Sequence, residues 1–180
     1  MKLLYMLGLI LSISFPSCAQ KEKSNSVDKQ QSTANSKTTT YYFIRHAEKD
    51  RRDPANSDPN LTQEGKNRAQ NWSTVFQDIK FDAIYATKYN RTKQTAQATA
   101  TRQNLKVMMY DPNTLFSSKF AKATEGKTVL VVGHSNTTPA FVNAIIKKKK
   151  YSDIDDNDNS KLFIVSLSKK NLIDQVLTIN

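Results

Sequence analysis

Thr128-Val129-Leu130-Val131-Val132, followed by Gly133-His134, is the stretch whose reading decides the fold. Four consecutive aliphatics with no polar alternation describe a strand buried on both faces, the pattern of a parallel sheet covered by helices above and below. This strand is expected at the centre. Upstream, 106–110 reads as a strand closed by Asp111-Pro112-Asn113, and a short helix fits 115–123, stopped near Gly126. Downstream, Pro139 suits a first helical turn that 140–146 continues.

Farther out the alternation repeats. Tyr41-Tyr42-Phe43-Ile44 is a short buried strand. Thr62 can N-cap a helix with Glu64 in its first turn, and Ala69, Trp72, Phe76 and Ile79 then recur on one helical face. A second strand covers 81–86 and a second helix 90–103, the latter with good helix formers but a weak apolar face. Runs 162–167 and 172–179, split by Ser168-Lys169-Lys170-Asn171, predict a terminal hairpin. Together these imply an α/β fold: three layers, α/β/α, with a mostly parallel sheet and an antiparallel hairpin at the end.

The segments before Tyr41 read differently. Lys2 and the apolar run from Leu3 to Phe15 fit a signal peptide, too short for the roughly 17–25 residues of a membrane span. Pro16-Ser17-Cys18 follow at once, and the only Cys of the chain sits there. This resembles a bacterial lipoprotein signal (1–18) with Cys18 as the acylated residue; Phe15 and Pro16 depart from the usual box. The alternative is ordinary cleavage after Ala19, which would give a soluble secreted or periplasmic protein. Both place the protein outside the cytoplasm, the first with a lipid anchor in the cell envelope. Residues 19–40 contain no aromatic and only Val27 as a large aliphatic, so they read as a flexible polar tether with a reach of ~25 Å. The folded domain is then expected over 41–180.

Composition narrows the chemistry. One Cys excludes an internal disulfide framework or a CxxC metal site, and two His exclude a multi-histidine cage. Any histidine chemistry must use His46 and His134. Both stand directly after predicted strands, as Arg45-His46 and Gly133-His134, and Arg91 lies just beyond the second strand at a helix start. In open α/β sheets ligands bind outside the carboxyl ends of strands, where helix N-termini add backbone N–H groups. Two guanidiniums can fork onto one phosphoryl group. Three strand ends therefore predict a compact phosphate pocket that also holds imidazoles.

Arg45-His46-Ala47-Glu48-Lys49, Leu61-Thr62-x-x-Gly65, Arg91-x-x-Gln94-Thr95-Ala96 and Gly133-His134-Ser135 resemble, in order and spacing, the histidine phosphatase superfamily with its phosphoglycerate-mutase-like fold. Ala47 replaces the usual Gly of the Arg-His-Gly signature, as in small Arg-His-Ala-Glu members. The resemblance implies a metal-independent phosphatase of the histidine acid type, acting on a phosphomonoester or a phosphoramidate without a cofactor. His46 would be the nucleophile, attacking as neutral imidazole with one nitrogen free and the other donating to a carbonyl. Arg45 and Arg91 would clamp the phosphoryl oxygens and disfavour a charged His46, and His134 would stabilise charge on the transferring group. For the proton donor the sequence offers Glu48, which could instead organise the arginines, and Asp111. The run Asp153, Asp155, Asp156, Asp158 could reach the rim. An envelope-tethered protein that binds a phosphorylated ligand without turnover is the alternative function.

Other motifs fail on inspection. Gly133-His134-Ser135-Asn136-Thr137 lacks the second Gly of a nucleophile elbow, and no His follows Ser135. Gly126-Lys127-Thr128 precedes a strand, where a P-loop follows one. Asp153-Ile154-Asp155-Asp156-Asn157 carries Asp158 where a calcium loop needs Gly. The net charge of +11 is diffuse: residues 41–180 hold 22 Lys+Arg against 14 Asp+Glu, spread evenly over both halves. Lys147 to Lys150 is followed by four acids, so no nucleic-acid partner is expected; the expected partners are a small phosphorylated substrate and, through Cys18, a membrane.

Overall fold

The computed structural model describes residues 37–179. The expected signal segment, Cys18 and the greater part of the 19–40 tether lie outside the described residues. Ten elements follow in chain order: β1 (Thr39–Arg45), α1 (Gln63–Val75), β2 (Ala83–Ala86), α2 (Asn90–Arg102), β3 (Val107–Met109), α3 (Ser118–Thr124), β4 (Thr128–Gly133), α4 (Thr137–Ile146), β5 (Lys161–Leu167) and β6 (Leu172–Thr178). The six strands form one sheet in the order β3-β2-β4-β1-β5-β6. Pairs β3-β2, β2-β4 and β4-β1 are parallel; β5 and β6 run antiparallel.

The sheet reads directly from alternation. Tyr41, Phe43, Val129, Val131 and Val165 point to one face and join Phe120 and Phe141 of α3 and α4. Ile44, Leu130, Val132 and Leu162 point to the other and join Trp72 of α1, Phe76 at its C-cap, and Ala96 and Ala100 of α2. The chain steps outward from β1 to β2 and β3, then reverses to β4. With right-handed crossovers that reversal places α1 and α2 on one face and α3 and α4 on the other, which makes the three layers. Burying Trp72 and Phe76 contributes roughly 1.5–3 kcal/mol each.

Several boundaries shift: α1 ends at Val75, short of the Phe76 and Ile79 expected on its face, α3 starts at Ser118 and not at 115, and β3 shrinks to Val107–Met109, while two strand starts have a clear cause. β1 begins at Thr39, two residues inside the expected tether, because Thr39 and Thr40 pair with Leu167 and Ser166 of β5. β2 begins at Ala83, since Phe81 and Asp82 are tied by other bonds: Phe81 N donates to Gln103 Oε1 and Asp82 N to Thr128 O. The weak face of α2 is packed by small and hydroxylated residues: Thr92, Thr95, Ala96, Thr99 and Ala100 are all buried. α1 starts where the cap predicts, with Thr62 Oγ1 accepting from Gly65 N at 3.0 Å.

Candidate active site

Strand register brings the motifs together. Arg45 of β1 is level with Gly133 of β4, and Ala86 of β2 is level with Val132. The next residues, His46, His134 and Thr87, therefore leave the sheet side by side at its carboxyl edge. His46 N donates to Gly133 O at 2.9 Å, extending the β1-β4 ladder past the strand ends. The two imidazoles stand edge to face, ring centroids 5.4 Å apart. Gly133 is required by crowding: a Cβ there would lie 2.7 Å from Thr138 Oγ1 and 2.9 Å from the Tyr110 hydroxyl.

His46 is buried (4% exposed), and its Nδ1 lies 2.8 Å from Ala47 O. Nδ1 donates to that carbonyl, so neutral His46 keeps a lone pair on Nε2, for which no partner exists among the described residues. Its pKa is lowered to about 3, chiefly by burial, and further by Arg45, His134 and Arg91 against the opposing effect of the Ala47 carbonyl. The resemblance assigns that effect to the arginines; burial is the larger cause. His134 is likewise lowered to about 4, by burial first and then by Arg91, Lys49 and Arg45.

Arg45 is almost wholly buried (1%) and held from behind by the loop before β5. Its guanidinium donates to Asp155 O at 2.8 Å and Asp158 O at 3.2 Å, and pairs with the Asp156 carboxylate. Arg91, in the first turn of α2, stacks over the Tyr89 ring at 4.4 Å and lies 3.7 Å from Asp58. Asp58 in turn accepts from Asn90 N at 2.7 Å, which pins the start of α2. The Nε atoms of both Arg45 and Arg91 are buried without a partner. Two buried cationic donors left unpaired beside a free imidazole nitrogen suit an anion with several acceptor oxygens.

A cleft of about 200 Å³ opens beside His46, lined among others by Arg45, Glu48, Lys49, Arg51 and Asp156. Of the two proton-donor candidates, only Glu48 lines it. Glu48 does not organise the arginines of the site: its Oε1 accepts from Arg68, and its Oε2 is buried and unpartnered. Asp111 is exposed in the turn after β3, where its Oδ1 accepts from Asn113 N at 2.9 Å, and it does not line this cleft. The acidic loop does reach the rim. Asp156 is held below the usual carboxylate range, first by its hydrogen bond from Arg51 and then by Arg45, against the effect of burial.

The sequence assigns no role to several supporting residues. Thr87 places its hydroxyl 2.9 Å from His134 Nε2. Thr95 Oγ1 accepts from Ala47 N at 2.9 Å and fixes the loop that carries His46. Lys49 and Arg51 add positive charge to the cleft. Thr95 sits in the Arg91-x-x-Gln94-Thr95 pattern; Thr87 could have been found only from the strand-end position it shares with His46 and His134.

A buried imidazole beside the buried Arg45 and the partly buried Arg91, at the carboxyl edge of parallel strands, is the deciding arrangement. Residues 41–112 match the model of the histidine phosphatase superfamily (branch 1). The matched stretch contains Arg45, His46 and Arg91 of the histidine phosphatase pattern; His134 lies beyond it. No curated protein matches the chain by sequence. Solved structures share the histidine phosphatase fold at low identity. A chain from Agrobacterium tumefaciens assigned as phosphohistidine phosphatase SixA is 21% identical with a TM-score of 0.58, covering 78% of this chain and 98% of its own. The protein histidine phosphatase SixA complexed with tungstate gives 16% and 0.62, with 77% and 96% covered. The alpha-ribazole phosphatase from Shigella flexneri gives 15% and 0.63, with 78% and 98% covered. The mostly parallel six-stranded sheet with its antiparallel end strands is this phosphoglycerate-mutase-like architecture.

Proposed function

We propose that this chain is a phosphatase that hydrolyses a small phosphomonoester or phosphoramidate through a phosphohistidine at His46. The observation that carries it is the free Nε2 of a buried, neutral His46 beside the unpartnered Nε groups of Arg45 and Arg91. Nε2 attacks phosphorus, the bond from phosphorus to the leaving oxygen or nitrogen breaks, and its electron pair departs with that atom. The resulting phosphoimidazolium keeps its Nδ1–H on Ala47 O. Water then attacks phosphorus, the phosphorus–Nε2 bond breaks, and neutral His46 and inorganic phosphate are released. The guanidiniums of Arg45 and Arg91 and the imidazole of His134 carry the charge that builds on the equatorial oxygens.

The first step needs a proton on the leaving atom. Asp156 is held ionised by Arg51 and Arg45 and has none to give at neutral pH. Glu48 is the cleft-lining candidate. A phosphoramidate, whose nitrogen leaves readily, makes the least demand on such a donor, and both substrate classes belong to this reading. The second reading, a phosphate-binding protein without turnover, rests on the same arginines.

Acid quench with ³²P-labelled substrate tests the proposal. Wild type is expected to trap acid-labile label on histidine and to hydrolyse an aryl phosphate in chelator; His46→Ala should do neither. Binding of inorganic phosphate with no label and no hydrolysis would leave the binding reading. Export and lipidation belong to the same proposal, supported by the apolar run 3–15 and by Cys18 at its end. Mass spectrometry of the mature N-terminus tests them: diacylglycerol on Cys18, against a start at Gln20.

A further inference from the structure

Five cationic side chains gather around His46, and four have a carboxylate in reach. Arg45 and Arg51 share Asp156, Arg68 pairs with Glu48, and Arg91 faces Asp58. Lys49 is the exception: among the described residues its ammonium makes no hydrogen bond and no ion pair. It is half-buried and lines the cleft together with His46 and Arg45. Its backbone is fixed, since Lys49 bridges to Leu61 and Asp50 N donates to Asn60 O at 2.9 Å. The side chain therefore leaves a rigid loop.

The surroundings of that ammonium are unfavourable to it. Burial, Arg91 and Arg51 all push its pKa down, and only the shared Asp156 opposes them among its major neighbours. A surface lysine on a solvated rim would turn outward to water at no cost. Lys49 is held half-buried among like charges, an arrangement that a second negative charge in the cleft would relieve. The phosphoryl group itself is already matched by Arg45 and Arg91. The cleft that Lys49 shares with His46 and Arg45 has a volume of about 200 Å³, room for a compact group beside the phosphoryl site.

Resting on the phosphatase reading, we propose that Lys49 binds a second anionic group of the substrate, so that the site selects small phosphorylated acids over neutral phosphate esters. Lys49 is then a specificity-determining residue, set beside the phosphoryl site by its place three residues after the nucleophile.

The test uses matched pairs that differ only in a carboxylate. Turnover is compared for phosphoglycolate against 2-hydroxyethyl phosphate, and for its one-carbon-longer pair. Binding is measured by calorimetry for phosphonoacetate against ethylphosphonate and for 3-phosphonopropanoate against propylphosphonate. Wild type should favour the acidic member of at least one pair by about tenfold, the scale of one charge-assisted contact. Lys49→Gln should bring that ratio close to one and Lys49→Arg should retain most of it. Lys80→Gln, an exposed change near the opposite end of the sheet, should leave it unaltered. A wild-type ratio near one, or a ratio that survives in folded Lys49→Gln, overturns the proposal. Esters hydrolysed without preference would sink Lys49 alone. Phosphonates bound with the preference but no ester hydrolysed would sink the hydrolytic reading alone.

Discussion

The Thr87 hydroxyl lies 2.9 Å from His134 Nε2 and 2.8 Å from the Thr92 hydroxyl. Thr92 Oγ1 is also within 2.8 Å of Tyr89 O and 3.0 Å of Thr87 O. The direction that leaves neutral His134 an N–H for the phosphoryl oxygens runs from Thr92 to Thr87 to His134 Nε2, which puts the imidazole proton on Nδ1. The relay fixes both ring plane and tautomer of His134 from behind. Thr87→Val should lower kcat about tenfold with little change in KM for phenyl phosphate, the cost of a misplaced catalytic group. Thr87→Ser, which keeps the hydroxyl, should recover most of the loss. Steady-state kinetics of the two variants decide it; equal losses in both would remove the relay from the argument.

Arg45 offers a different kind of test, because its charge and its shape can be separated. Its guanidinium is gripped by two carbonyls and a carboxylate while Nε stays unpartnered. Lysine preserves the charge but cannot occupy those positions and still present a fork to phosphate. Arg45→Lys should reduce kcat/KM by about 10²–10³, comparable with loss of an oxyanion donor. A reduction below threefold would show that charge alone suffices.

Acid should unfold this protein through its imidazoles as well as its carboxylates. The folded pKa values of His46 and His134, about 3 and about 4, lie below the unfolded value of about 6.5. Between these limits the unfolded chain binds protons that the folded chain does not, so stability falls as pH drops below 6.5 and is complete above it. Denaturation midpoints measured from pH 7.5 to 4.5 should decline, and His46→Gln should decline less steeply. Over the same range kcat/KM should show no enzyme ionisation near 6.5 once the phosphate ionisation of the substrate, near 6, is factored out. A flat midpoint would contradict neutral burial.

How far the sequence reaches is clear from individual residues. Tyr41 and Phe43 against Tyr42 and Ile44, and the aliphatic 128–132, carry the sheet, because period-two alternation and full burial leave few arrangements for them. The position after each strand then puts His46, His134 and Arg91 at one edge without further information. Thr87, Lys49 and the grip of Asp155, Asp156 and Asp158 on Arg45 depend on side-chain direction and on a loop more than a hundred residues away, and no local pattern encodes either. Asp111 shows the limit from the other side. Its place after β3 suits a catalytic acid, yet its carboxylate is used by its own turn.

The glycine of Leu61-Thr62-x-x-Gly65 has a packing explanation. A Cβ at Gly65 would lie 2.2 Å from Glu48 O, and Thr62 N donates to that same oxygen at 2.9 Å. The first turn of α1 thus rests directly on the backbone that follows His46. Gly65→Ala should destabilise the fold by about 2 kcal/mol and lower kcat in parallel, since relief of the clash must displace Glu48. Urea titration together with kcat measured on the folded fraction checks both; a stability loss with unchanged kcat would uncouple the helix from the nucleophile loop.

β1, the first strand of the described fold, lies between β4 and β5, and Arg45 at its end is secured by carbonyls from residues 155 and 158. On a ribosome, His46 emerges more than a hundred residues before the groups that complete its surroundings. The surroundings of His46 are therefore incomplete until the loop of residues 155–158 has been made, a contact of high sequence separation.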